Sequence, residues 1–256
     1  MIQNYFDIFD MMMRACILLG LIFMVFSHFV LIMKNRKANE GMEVLHYYKG
    51  FVVQKLPLYS TYICSTLLAF SIFRIGSILK VDSAHVPSLS LWGITFVSGE
   101  ELKQNMTAVY IICIVGAILY LIASILYNTA QVQLGKNYSM DVDIKYGYRL
   151  KTNELYGFVR HPLYLADFLL WLCASLALLS WSLFLWTVCI HIPLYLHRAK
   201  AEDELLEYYW KDEYREYKEN TGAFFPIISD NKFYIIKTAE FLFTNSTVLF
   251  YYLIII

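Results

Sequence analysis

Residues 163–197 read LYLADFLLWLCASLALLSWSLFLWTVCIHIPLYLH, and the architecture of the chain turns on how this stretch is laid out. As one straight helix it would be roughly 50 Å long. A bilayer core is about 30 Å thick, so one upright span cannot use it all. Length alone leaves two layouts open. One is a single crossing over 168–190. The other is a tight hairpin of two short helices, turning near Ser180-Trp181-Ser182.

The flanking charges decide between them. Segment 34–56 carries Lys34, Arg36, Lys37, Lys49 and Lys55. Segment 128–162 carries Lys136, Lys145, Arg149, Lys151 and Arg160, and segment 198–232 carries Arg198, Lys200, Lys211, Arg215, Lys218 and Lys232. Segment 80–106 has only Lys80 and Lys103. Lysine and arginine collect on the cytoplasmic side of membrane proteins, which puts the three basic segments there. Two consecutive cytoplasmic segments need an even number of crossings between them, which favours the hairpin.

Working outward, apolar runs cover 17–33 (extensible to Met11, with Arg14 near the surface), 58–79 (with Arg74 close to its end) and 107–127. A last run, 233–256, is interrupted by Lys237 and Glu240. The expected fold is all-α and polytopic, with the N-terminus outside and five transmembrane helices. The tail is a sixth span or an interfacial helix. The expected divisions are N-terminal spans in 1–131, a catalytic half in 132–232 that includes the hairpin, and the apolar tail 233–256.

Composition agrees with a membrane chain. Of 256 residues, 59% are hydrophobic and 16% charged, against about a quarter charged in soluble domains. The net charge of +0 offers no basic field for nucleic acid, and that class is set aside. Cys16, Cys64, Cys113, Cys173 and Cys189 all lie in apolar runs, with no metal-ligand spacing. They read as small buried hydrophobes, with no disulfide or metal site. Asp7 and Asp10 precede the first run, which reads as a retained anchor and not a signal peptide.

Two polar pieces flank the hairpin. The first holds Leu134-Gly135-Lys136-Asn137-Tyr138-Ser139, then Tyr148-Arg149-Leu150-Lys151, Tyr156, and Arg160-His161-Pro162-Leu163-Tyr164. Pro162 suits the first turn of a helix, where its missing N–H costs nothing. Arg160 and His161 would sit beside the free N–H groups of that helix, a setting for an anion; a basic surface anchor would look the same. The second piece opens with Arg198-Ala199-Lys200-Ala201-Glu202-Asp203-Glu204-Leu205-Leu206. Arg198 and Glu202 are four apart and share a helix face. They form either a plain ion pair or two separate binding groups, Arg198 for an anion and Glu202 for an ammonium. The run from Glu207 to Lys218 mixes charge and aromatics, as a helix lying on a membrane would.

Together the pieces resemble the isoprenylcysteine carboxyl methyltransferase family. Arg160-His161-Pro162-Leu163-Tyr164, then Arg198-x-x-x-Glu202-Asp203-x-x-Leu206, is similar to its paired signature, and Asp212-Glu213-Tyr214-Arg215-Glu216-Tyr217-Lys218 continues it. The resemblance covers about 130–228. It implies an S-adenosyl-L-methionine pocket formed by Tyr148, Arg149, Leu150, Lys151, Tyr156, His161, Pro162, Leu163, Tyr164 and Glu202. It implies catalytic roles for Arg198, assigned to the acceptor, and for Arg160. The chain departs from the family pattern at Glu154-Leu155, Ala166 and Asp203. The implied activity is methylation of a lipid-like or prenylated carboxylate, among membrane lipids and on the cytoplasmic face of a bacterial inner or endoplasmic reticulum membrane. A carboxylate is already ionised near neutral pH, so no base is required. Other readings are a lipid-amine N-methyltransferase, with Glu154, Asp203 or His161 as base, a sterol-type reductase using a nicotinamide, and a membrane protein without enzymatic activity.

Overall fold

The computed structural model describes residues 2–38, 42–73, 90–91, 94–95 and 106–227. The apolar tail expected at 233–256 and most of segment 80–106 lie outside them.

Three long apolar helices form the frame: α1 (Ile2–Ala38), α3 (Leu56–Phe73, after the short α2, Phe51–Gln54) and α4 (Met106–Leu134). Among the described residues, three stretches are long and apolar enough to cross a membrane, Met11–Lys34, Phe51–Phe73 and Thr107–Asn137. Their outer faces carry Leu19, Ile22, Phe26, Ile111, Ile118 and Ile122, all exposed. Exposed side chains of this kind suit lipid and not water. The chain is an integral membrane protein.

The stretch 163–197 turns back on itself. Helix α5 (Pro162–Ala177) opens with Pro162 in its first turn and ends at Leu178. Leu179 takes a left-handed φ of 50°, and Ser180 N–H donates to the Ser175 carbonyl at 2.8 Å. The chain re-enters as α6 (Trp181–Trp186), a π-helical turn (Thr187–His191) and α7 (Ile192–Trp210). Contacts from Asp167 to His191, Tyr164 to Glu202 and His161 to Asp203 run back along the two arms. Arm α5, of 16 residues, is about 24 Å long, shorter than a bilayer core. The turn is tied to α3 by the Ser71 and Ser180 hydroxyls, 2.7 Å apart.

The core gathers Ile17 of α1, Leu68 of α3, Tyr120 of α4, Leu170 and Trp171 of α5, and Leu183 of α6. Lipid tails are as apolar as these side chains, so close packing has to hold the helices together. Gly116 makes that possible between α4 and α5: a Cβ there would lie 2.7 Å from the Ala177 backbone nitrogen. Gly20 does the same for α1, where a Cβ would meet the Tyr120 ring at 2.5 Å. Arg14 does not sit free at the surface; its guanidinium reaches across to the Ile72 carbonyl at 2.7 Å.

The all-α expectation needs one correction. Among the described residues there are four short strands, β1 (Val44–Tyr47) with β4 (Asp143–Lys145), and β2 (Ser90–Leu91) with β3 (Ile94–Thr95), both pairs antiparallel. They pair backbone groups of polar connections that no helix satisfies. Helix α8 (Asp212–Asn220) closes the described chain.

Candidate active site

The hairpin brings its two polar ends together beneath a cavity of about 430 Å³, within the usual range for ligand pockets, about 300–1,000 Å³. Asp203 on α7 organises the floor. Its carboxylate receives Nη2 of Arg160 at 2.9 Å, pairs with Nε2 of His161 at 2.8 Å, and accepts the Tyr214 hydroxyl. Burial penalises that charge, but the His161 and Arg160 hydrogen bonds outweigh it and hold the acid well below the usual carboxylate range. Burial and the neighbouring Asp203 charge push the Tyr214 phenol the other way, well up.

Arg160 also donates to the carbonyls of Thr221 and Lys218. Its own backbone N–H donates to the Gly222 carbonyl at 2.8 Å. This arginine therefore ties the start of α5 to α7 and to the end of α8. The sequence reading made it a catalytic candidate. The structure places it on the cavity wall with its donors already engaged.

With Nε2 committed to Asp203, His161 turns Nδ1 toward Glu202 Oε2, 3.8 Å away. Its ring stacks on Tyr164, 5.6 Å between centroids and 8° from parallel. The Tyr164 hydroxyl donates to Glu202 Oε2 at 2.7 Å and accepts from Arg198 Nε at 3.1 Å. Arg198 and Glu202 share a face as expected, but the link between them is this phenol. The Glu202 side chain stays one-third exposed.

Arg198 corrects a second expectation. A fork free to grip an acceptor carboxylate was expected. Instead Nη1 donates to the Val53 and Gln54 carbonyls at 3.2 and 3.4 Å, and Nη2 to the Met140 carbonyl at 2.6 Å. Only 6% of the residue is exposed. Two adjacent carbonyls of α2 and one from residue 140 thus occupy the fork, joining segments far apart in the chain.

The Met140 contact belongs to a strap, residues 138–143, that walls the cavity. Gln54 holds it from the other side. Its amide donates to the Val142 carbonyl at 3.1 Å and accepts the Val142 N–H at 2.8 Å, and Lys55 pairs with Asp141 at 3.0 Å. Burial pushes the Tyr138 phenol in this strap up to about 12. Asp141, Asp143 and Glu202 give this end of the cavity an acidic lining. Sequence reasoning missed Gln54, Asp141 and Asp143. Nothing in the local pattern marks Gln54, whereas the two aspartates already stood in the polar piece after the matched Leu134–Ser139 run.

The opposite flank is apolar, with Met24, Val25 and Ile32 from α1 and Leu58 and Tyr62 from α3. Of the expected site residues, Tyr156, Arg160, His161, Leu163, Tyr164, Arg198 and Glu202 reach the cavity. Tyr148, Arg149, Leu150, Lys151 and Pro162 are not on its wall. Pro162 serves as the opening residue of α5. Lys151 pairs with Glu154 at 2.6 Å, and the Arg149 carbonyl accepts from Asn137 at 2.7 Å.

The polar end of this cavity and its hairpin floor lie in the segment that a family model matches, residues 111–208, described as the Isoprenylcysteine carboxyl methyltransferase (ICMT) family. Across that segment the chain is similar to the ICMT family. Asp203, Glu202, His161, Tyr164 and Arg198 all fall inside the ICMT match. No curated protein matches the chain. Among solved structures, that of the eukaryotic intramembrane Ras methyltransferase ICMT without a monobody aligns with a TM-score of 0.44 at 16% identity, over 69% of this chain and 73% of that one.

Proposed function

We propose that this protein is an S-adenosyl-L-methionine-dependent methyltransferase acting on a lipid-like carboxylate, isoprenylcysteine-like in kind, from the cytoplasmic face of its membrane. The carrying observation is the two-sided cavity: an acidic polar end beside the stacked His161 and Tyr164, joined to an apolar flank from α1 and α3. The methyl donor has an ammonium, a sulfonium and a flat adenine, and the residues present fit it. Glu202, supported by Asp141 and Asp143, suits the cations, and the aromatic pair suits a flat or cationic group.

When bound, S-adenosyl-L-methionine supplies a methyl group on positively charged sulfur. The chain's own residues do the rest. Glu202, oriented by Tyr164, would hold the ammonium. Asp203 holds His161 through Nε2, so that its Nδ1 would border the cofactor space beside Glu202. The strap 138–143, pinned by Arg198 and Gln54, walls the site from water. Arg198 adds positive potential, felt strongly at low dielectric, where an acceptor carboxylate would come to lie. That carboxylate needs no base, and the apolar flank receives its hydrocarbon tail, so alignment becomes the main demand.

The test uses purified protein in nanodiscs with labelled S-adenosyl-L-methionine and a farnesylated cysteine analogue. Label transferred to the analogue and released by mild alkali marks a methyl ester. A protein that binds NADPH and not S-adenosyl-L-methionine would end the reading.

A further inference from the structure

A second buried polar cluster borders the same cavity, and the methylation of a carboxylate makes no use of it. Asp167 on α5 lines the cavity and is 6% exposed. Its Oδ1 accepts from Trp171 Nε1 at 3.0 Å, and its Oδ2 lies 2.7 Å from His191 Nε2. On the far side of that ring, Nδ1 stands 3.1 Å from Ser60 Oγ, which accepts from Trp186 Nε1 at 3.1 Å. The π-helical turn Thr187–His191 carries the histidine, and such turns recur at functional sites. Phe168, Trp171 and Tyr195 surround its ring.

The hydrogen bonds assign the protons. Both indoles can only donate, so Asp167 and Ser60 accept from them. Ser60 keeps its own hydrogen for His191 Nδ1. Nε2 then carries the imidazole proton and donates to Asp167. Among the described residues, the hydrogen-bond partners of that carboxylate are Trp171 and His191. A charge inside a membrane protein is costly and is retained for function. This one faces a cavity and is held in place by the Trp171 indole and the His191 ring. Such a group suits an incoming cation that has a proton to give.

We propose that Asp167 is the base for a second class of methyl acceptor, a protonated lipid amine, alongside the carboxylate. The proposal rests on reading the acidic end as the site of the sulfonium methyl donor. The ammonium gives one proton to Asp167. The freed lone pair forms the N–CH₃ bond as the S–CH₃ bond breaks, with that electron pair remaining on sulfur. The proton then leaves Asp167 for cavity water, and His191 restores its hydrogen bond to the carboxylate. A carboxylate acceptor gains nothing from Asp167 and is drawn toward Arg198.

The experiment compares wild type, Asp167→Asn and Trp171→Phe in nanodiscs. A long-chain alkylamine and the farnesylated cysteine analogue serve as acceptors. Alkylamine binding is also measured by calorimetry without cofactor. Wild type should methylate both acceptors. Loss of a general base should lower alkylamine turnover by about a hundredfold in Asp167→Asn, and the ratio of alkylamine to cysteine-analogue turnover by at least about tenfold. Calorimetric binding of the alkylamine should weaken in parallel. Trp171→Phe keeps the carboxylate but removes one donor from it, so it should shift the same ratio even where Asp167→Asn does not fold. Wild type that binds S-adenosyl-L-methionine and methylates the cysteine analogue, but not the amine, overturns this inference alone. An unchanged ratio in the folded variants also overturns it. Failure of wild type to bind S-adenosyl-L-methionine overturns both this inference and the reading beneath it.

Discussion

Tyr164 donates to one oxygen of Glu202 and accepts from Arg198, so the acidic and basic members of this site are coupled through a phenol. Two residue-level expectations follow from that wiring. Glu202→Gln should weaken S-adenosyl-L-methionine binding by about 1.5–3 kcal/mol, the worth of a hydrogen bond to a charged group, read by calorimetry. Arg198→Lys should act differently. A lysine has no fork to reach Val53, Gln54 and Met140 together, so the strap should loosen. The apparent melting temperature in detergent should fall, and kcat/KM with it, even though the charge is kept. Asp203 sets a third expectation, in acid. Its folded-state affinity for a proton is depressed below that of the unfolded chain, about 3.9. The stability it contributes is therefore present above that value and lost as pH falls through the folded one. Melting temperature should drop below about pH 4 in wild type. Asp203→Asn should start lower and show a shallower drop.

At the scale of elements, the α4–α5 crossing depends on Gly116. The atoms a side chain would meet there are the Ala177 nitrogen, the Ala177 Cα and the Cys173 carbonyl, at 2.7, 3.1 and 3.1 Å. All are backbone, which cannot swing aside as a side chain would. Gly116→Val should cost on the order of 1–3 kcal/mol through overpacking, seen as a lower melting temperature. Because α5 carries Tyr164 and starts directly after His161, cofactor affinity should fall too. Ala177 closes α5 next to the hairpin turn, and Leu179 in that turn holds φ 50°, a conformation that costs an ordinary residue more than glycine. The turn thus joins a strained residue to a helix contact without spare room, and the register of the two arms follows from both.

For the whole molecule, the hairpin makes one cavity from segments that are far apart in the chain. His161 and Asp203 touch only because residues 163–197 go out and return. Single cysteines at Lys151 and Lys211, in a background without the native ones, should therefore label from the same side of the membrane. Labelling from opposite sides would separate Arg160 from Asp203 and dismantle the site. The exposed apolar faces of α1 and α4 set the complementary expectation that the protein needs a lipid or detergent belt to stay dispersed.

Much of this was legible in the chain itself. Runs of apolar residues specify helices at membrane length because the bilayer sets that length and hydrogen-bonds nothing inside it. Basic residues on both sides of 163–197 pointed to a return of the chain, and the Arg160–Tyr164 and Arg198–Leu206 pieces are the ends that meet at the cavity. Side-chain commitment was not legible. Whether Arg198 greets an acceptor or three backbone carbonyls depends on where Val53, Gln54 and Met140 come to rest, and those positions exist only after α2, the strap and α7 have packed. The exclusion of Tyr148–Lys151 from the cavity wall, the placing of Gln54 behind the strap, and the alignment of Ser60, His191 and Asp167 across two helices and a π-helical turn have the same origin. Sequence pattern governed which segments are apolar and long enough to enter the membrane, because that is a free energy of single segments. The tertiary structure decided which donors remain for a ligand, because every buried carbonyl competes for them first.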